Sequence, residues 1–405
     1  MIWSISWRNI WRNKVRSAVV IIAVALGLCA GVFLTAFFTG MIDRRVDQAI
    51  ASELSHIQIH YPEFRSTTDM SLYIPGADSI AGQIRQIPHV TGASSRIVVH
   101  SMISSAETAA GVRITGVRPE QEMKVSKIHS HIIEGDYLGK EGRNPVVIGK
   151  KLAENLKVKL RSKVVITVTD MEKNISGGAF RVVGIYETAN RMFDESVVFV
   201  RHEDLAGLIG IPADGGHEIA VLADDNERVE EVQESIRLQA GSLEIMNWKE
   251  LSPEMSYLTE AMDLYMFIFT GIILLALLFG IINTMLMVVL ERFKEIGMLM
   301  AIGMNRQRIF NMIILETVLL TLTGGVAGII AGTAVSTYFE HHPINLSIWA
   351  EGYKAIGYDS IVYTSFDLNM LVGVTIMVLF TGIIAAIYPA YKALQYDPAE
   401  ALRIE

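Results

Sequence analysis

Four long stretches of the chain carry almost no charge. One runs between Arg16 and Asp43, one between Asp263 and Glu291, and one between Asp367 and Lys392. Each holds about 24–27 uncharged residues, enough to cross a hydrocarbon core with some tilt, where a buried core helix needs only about 10–14. The other stretch, Ile309 to Phe339, is interrupted by one charge, Glu316. The pattern predicts transmembrane helices at 17–43, 263–290, 309–339 and 367–391. The first stretch is longer than the apolar part of a signal peptide and lacks a clear small-x-small site before Asp43, so it reads as an uncleaved helix.

Residues 44–262 alternate instead. Period-two patterning predicts strands at His56–Tyr61, Ile97–Ser101, Val112–Val117, Val164–Thr169, Phe180–Tyr186, Val197–Val200 and Glu218–Leu222. Helical spacing fits Asp78–Gln86, Lys150–Asn155, Glu203–Ile209 and Asn226–Leu238. Strand–helix units lie near both ends, and the middle, about residues 91–200, reads as a strand-rich insertion. The predicted class is therefore a four-helix membrane protein with one large α/β domain between helices one and two. The first helix is expected to run past Asp43 through Val46, and Trp248–Asp263 to lead back, so two helical stalks would join the domain to the membrane.

Basic residues set the orientation. Arg8, Arg12, Lys14 and Arg16 crowd the start of the first helix. Arg292, Lys294, Arg306 and Arg308 fill the loop at 291–308, and Lys392 and Arg403 follow the last helix. Four crossings put all three groups on one side, which the positive-inside rule makes cytoplasmic. The domain at 44–262 and the loop at 340–366 are then extracytoplasmic.

Trp3, Trp7 and Trp11 recur every four residues, one stripe of a helix within residues 1–16 that is expected to lie in the headgroup region. Ala23, Gly27 and Gly31 in helix one, and Gly324, Gly328 and Gly332 in helix three, form small-residue rows that let backbones approach closely. Asn283 and Glu316 lie about 12 Å inside the membrane at 1.5 Å rise per residue. A charge there costs roughly 2.5–3.5 kcal/mol. Glu316 is therefore expected to face the bundle interior, with Asn283 at a similar depth as its candidate partner.

Composition narrows the chemistry. The chain has 405 residues, a hydrophobic fraction of 51% and a net charge of −8, which offers no basic footprint for nucleic acid. Its single cysteine, Cys29, excludes an internal disulfide. No C-x-x-C or H-E-x-x-H spacing points to a metal site, and no nucleophile–base–acid set emerges. The nearest approach to a phosphate loop, Gly142 to Gly149-Lys-Lys, has the wrong spacing and lacks the Ser/Thr.

The loop after helix two reads Glu291-Arg-Phe-Lys-Glu-Ile-Gly-Met-Leu-Met-Ala-Ile-Gly303. Ile296, Leu299, Met300 and Gly303 form an apolar stripe, and Gly303 with Asn305 closes the helix. A short amphipathic helix of this kind suits a protein groove. The chain ends Tyr388-Pro-Ala-Tyr-Lys-Ala…Asp397-Pro-Ala-Glu400-Ala-Leu-Arg403, where Asp397, Pro398 and Glu400 start a short helix within 392–405.

With the entry Trp7-Arg-Asn-Ile-Trp-Arg-Asn-Lys14, these motifs resemble the MacB/FtsX-type ABC transporter permeases over the whole chain. The resemblance implies a porter-like domain with an inserted subdomain. It implies a coupling helix at Glu295, Ile296, Gly297, Leu299, Met300, Ala301, Gly303 and Arg306, docked on a separate ATPase present in two copies. ATP and Mg2+ would be bound by that partner and no cofactor by this chain. A second permease copy or paralogue would pair with it in the cell inner membrane, and nucleotide-driven movement would be transmitted to the outer domain. The stretch Gly116-Val-Arg-Pro-Glu-Gln-Glu122 running on to Ile133-Glu-Gly135 is similar to the lipoprotein-releasing LolC/LolE branch. That branch implies acyl chains near Phe33, Phe37, Phe38 and Phe267, and a periplasmic carrier. The turn at Asp170–Ala179 is short and proline-free, which does not match the carrier-recruiting member. A MacB-like efflux permease with an adaptor and outer-membrane channel, and an FtsX-like regulator of a cell-wall hydrolase, are the alternatives.

Overall fold

The computed structural model describes residues 7–8, 12, 14–139, 142–366 and 368–395. Contacts divide them into two compact units. One draws on Met1–Asp43, Thr259–Asn345 and Ile361–Glu405, the other on Arg44–Leu258 and Leu346–Ser360.

Helix α1 (Lys14–Ala49) runs well past Asp43 and ends in a π-helical turn, Ile50–Leu54. The second unit is then built from β1 (Ile57–His60), α2 (Ala77–Ile84), β2 (Val90–Ser104), β3 (Ala109–Val117), β4 (Ile132–Gly135), β5 (Pro145–Gly149), α3 (Lys150–Leu156), β6 (Lys163–Thr169), β7 (Ile175–Tyr186), α4 (Arg191–Ser196), β8 (Val197–Arg201), α5 (His202–Ile209), β9 (Glu218–Ala223), α6 (Val229–Ala240) and β10 (Glu244–Asn247). All seven expected strands and all four expected helices are present. Strands β4, β5 and β10 were not anticipated.

The strands form a single sheet in the order β10-β1-β9-β2-β3-β8-β5-β7-β4, with β6 pairing β2 and β7. Strands from the two ends of the segment and from its middle therefore share one sheet, where two subdomains were expected. Antiparallel pairing dominates, but β3/β8 and β5/β7 are parallel. Along β2, Ile97, Val99 and Ile103 point into one core with Ile114, Ile148, Ile166 and Val198. The opposite face carries Val117, Tyr186, Phe193, Val197 and Phe199. That alternation is the period-two signal read in the sequence.

This second face also buries charge. Arg96, opposite Glu218 across β2 and β9, bonds Glu218 at 2.7 Å and Glu122 at 2.6 and 3.0 Å. Burial raises the Glu218 carboxyl, but Arg96, His60 and Arg113 together outweigh it and hold the group below its ordinary value. A guanidinium shared by two carboxylates keeps each member of the triad partnered, the condition under which buried charge is tolerated. The segment Leu346–Ser360 belongs to the same unit: Lys354 bonds Glu187 at 2.7 Å and Gln48 bonds Asp359 at 3.2 Å.

The helical unit continues with α7 (Pro253–Glu291), α8 (Phe293–Ala301), α9 (Arg306–His341) and α10 (Leu368–Leu394). Four of its helices, α1, α7, α9 and α10, are long and apolar enough to cross a membrane. Val20, Val24, Leu28 and Val32, four apart on α1, turn one face into the bundle core. Gly324, Gly328 and Gly332 of α9 meet that face. A Cβ at Gly328 would stand 2.7 Å from the Ala25 carbonyl oxygen, and one at Gly332 2.9 Å from the Val32 Cβ. The row on α1 serves another neighbour: Gly27 and Gly31 face Leu277 and Ile273 of α7, and Ala23 is exposed.

Candidate functional site

Helix α8 is short, and each of its ends is fixed by the sequence. Arg292 breaks the register after α7. At the other end Gly303 takes φ +97, the left-handed region that favours glycine. Its N–H donates to the Met300 carbonyl at 3.1 Å, and the Met304 N–H donates to the Leu299 carbonyl at 3.0 Å. This double closure is a Schellman motif. The Asn305 side chain then accepts from the Gln307 N–H at 3.1 Å and caps α9.

The expected coupling residues divide into two groups. Ile296 and Gly297 are buried, and Leu299 and Met300 pack half-buried on the bundle core. They anchor the helix. Ala301, Gly303 and Arg306 are exposed. Beside them stand Lys294, Met298 and Ile302, the last two 53% and 78% exposed. An apolar pair ringed by Lys294 and Arg306 is the surface that α8 presents. Sequence reasoning centred on the buried stripe and passed over Met298 and Ile302, though both lie on the helix face opposite Ile296.

Beneath α8 runs a line of alternating charge. Arg12 bonds Glu295. The Arg292 Nε donates to Glu295 at 3.1 Å, and its Nη1 donates to the two Glu316 carboxylate oxygens at 3.1 and 2.9 Å. Glu316 is 5% exposed, so it faces inward as expected. Its partner differs from the expected one. Asn283 points outward on α7 and has no hydrogen bond among the described residues. The exposed face of α7 carries Asn283 away from Glu316. Arg292 reaches instead, because its apolar stem lets the charged head travel inward from the helix end. Met285 and Val289 turn one face of α7 into the bundle core, and Arg292 follows directly after the helix ends at Glu291. Arg12, Ser17, Met285, Arg292, Glu295 and Glu316 line a cavity of about 200 Å³. Burial would raise the Glu295 carboxyl, but hydrogen bonds from Arg12 and Arg292 hold it below its ordinary value.

The other sequence candidates are dispersed. Phe33, Phe37 and Phe38 are half-buried, and the Phe33 ring lies 5.6 Å from that of Phe339 of α9, tilted by 56°. Phe267 is exposed on α7. Trp7 is exposed, while Trp3, Trp11 and the helix start at Asp397, Pro398 and Glu400 lie outside the described residues. The turn expected at Asp170–Ala179 shortens to 170–174, since β7 begins at Ile175. Asp170 closes it by accepting from the Glu172 and Asn174 N–H groups.

Two family models match the chain: the MacB-like periplasmic core domain over residues 17–239 and the FtsX-like permease C-terminal domain over residues 267–398. The lipoprotein-releasing system transmembrane protein LolC of Xylella fastidiosa is 23% identical over 78% of this chain and 79% of its own length. The macrolide export ATP-binding/permease protein MacB of Chlorobium luteolum is 33% identical over 42% of this chain and 23% of its own. Among solved structures, the periplasmic region of MacB from Actinobacillus actinomycetemcomitans aligns with 53% of this chain and 98% of that region, at 14% identity and a TM-score of 0.36.

Proposed function

Because the chain belongs to the MacB/FtsX-type family of ABC transporter permeases, we propose that it is the membrane subunit of a lipoprotein-releasing machine whose ATPase is a separate protein docked on α8. The observation that carries the docking is the face of α8 just described. Met298 and Ile302 are apolar and exposed at the end of a helix whose other side is locked to the bundle. An apolar knob with basic neighbours fits a groove with an acidic rim. Movement received there passes to α9 through Arg292 and Glu316, two residues from different helices held by two hydrogen bonds.

The choice of cargo is supported by a relative matched over most of its length. LolC is covered over 79% of its length, whereas the matched part of the macrolide exporter is 23% of a longer protein that includes an ATP-binding part. On this reading α8 and both termini are cytoplasmic, and the α/β domain is periplasmic. A second permease and two ATPase copies complete the assembly.

Two experiments test the proposal. Depletion of the protein should leave lipoproteins in the inner membrane; normal sorting after depletion would remove the releasing role, and macrolide sensitivity with normal sorting would favour efflux. Ile302→Glu should keep the fold, because the side chain is 78% exposed, yet abolish co-purification of the ATPase. Undiminished co-purification would remove α8 as the dock.

A further inference from the structure

Within the α/β unit, β2 and β3 set His100 directly opposite Arg113, and β8 places Val197 beside Arg113 on the other side. The π-helical turn Ile50–Leu54 and helix α4 close over these positions. They leave an open cavity of about 550 Å³, within the roughly 300–1,000 Å³ usual for small-molecule pockets. Leu54, Met192 and Phe193 supply apolar wall; Glu53, His100 and Asn190 supply polar wall.

Arg113 is the anomaly of this face. Its Nε is shut off from solvent and has no hydrogen-bond partner, and no carboxylate pairs with it among the described residues. Glu53, on the same cavity, is held by Arg45 at 2.8 and 3.3 Å. Arg96, on the same sheet face, receives two carboxylates. The Arg96 guanidinium is thus bonded by two carboxylates, whereas half-buried Arg113 feels Glu218 and Glu53 only through space. A guanidinium with an enclosed, unbonded nitrogen and no carboxylate in contact has hydrogen-bonding capacity left for a group from outside. His100 is pushed below its ordinary value by burial and then by Arg113, so it is neutral at pH 7 and does not compete.

We propose that this cavity binds an anionic amphiphile, its carboxylate or phosphate on the Arg113 guanidinium and its apolar tail along Leu54, Met192 and Phe193. A guanidinium can take either head in two parallel hydrogen bonds. The site is independent of the releasing role: it stands or falls whatever cargo the machine carries.

The test uses the full chain in lipid nanodiscs, with empty nanodiscs subtracted, and titration calorimetry with hexyl phosphate, hexanoate, hexyl glucoside and inorganic phosphate. Hexyl phosphate or hexanoate should bind at least tenfold more tightly than hexyl glucoside. The tighter of the two assigns the head to a phospholipid-type phosphate or a fatty-acid-type carboxylate. Inorganic phosphate should bind more weakly than hexyl phosphate, for want of a tail. Arg113→Met should weaken binding at least tenfold without lowering the unfolding temperature, since it removes no internal bond, and Arg113→Lys should retain part of the affinity. Met192→Glu, at a position 71% exposed, should weaken anion binding and leave folding untouched. Equal binding of hexyl glucoside, or unchanged binding in both Arg113→Met and Met192→Glu, overturns the proposal. So does a lowered unfolding temperature in Arg113→Met with normal binding in Met192→Glu, which would make Arg113 a structural residue.

Discussion

Replacing Arg292 by Met isolates the charged link between α8 and α9. The change removes both hydrogen bonds to Glu316, at 3.1 and 2.9 Å, and the 3.1 Å bond to Glu295. Taking one partner from a buried ion pair costs about 3–5 kcal/mol. Here the Glu316 side chain is almost fully enclosed and Arg292 is partly open to solvent, so about 2–4 kcal/mol is expected. Glu316→Gln should cost less, about 1–2 kcal/mol, because the amide still accepts one bond and Arg292 keeps Glu295. The double variant should be no worse than Arg292→Met, a coupling of about 1–3 kcal/mol. Unfolding in mixed detergent micelles by rising dodecyl sulfate fraction, read by circular dichroism, measures all three. If the single effects add to within about 0.5 kcal/mol, the residues are not coupled and the link does not exist.

Two further outcomes follow from the geometry. Gly328→Val would drive a Cβ to 2.7 Å from the Ala25 carbonyl oxygen and 2.9 Å from its Cα. It should destabilise the helical unit by about 1–3 kcal/mol or more, and a lossless substitution in the same unfolding assay would contradict the α1–α9 packing. In the α/β unit, burial depresses His56, His202 and His217 to about 4. Unfolded histidine takes up its proton near 6.5, so the stability these groups provide is complete above about pH 6.5 and falls as pH drops toward 4, by up to about 3 kcal/mol each. Amide exchange along β1 and β9 should accelerate over that window, and pH-independent protection would show that the rings are not buried neutral.

The long helices were legible because a hydrocarbon core demands a minimum apolar length that little else imposes. Strand β6 was legible because one side of it faces a core and alternation records it, while β2 and β3, buried on both faces along part of their length, still carry β-branched runs. The missed strands lack that mark. β5, Pro145–Gly149, is buried at every position and so shows no alternation, while β4 and β10 are only four residues long. The parallel pairings β3/β8 and β5/β7 join residues far apart in the chain, and local pattern carries no trace of them. At α8 the apolar stripe was visible, but whether it binds a partner or the protein's own bundle depends on how the helix is rolled. The burial of Ile296 answers that for the stripe; Met298 and Ile302 take the outward role.

The small lobe Leu346–Ser360 is translated about ninety residues after Leu258, with most of α7 and all of α8 and α9 between them. Until it emerges, Glu187 lacks Lys354 and Gln48 lacks Asp359. The α/β unit is therefore completed only after three further helices have been made, with α10 (Leu368–Leu394) still to come. A ribosome that stalls within α9 would leave that unit short of a piece no neighbouring sequence replaces, so its ripening reports that the chain has been made through its third long apolar helix.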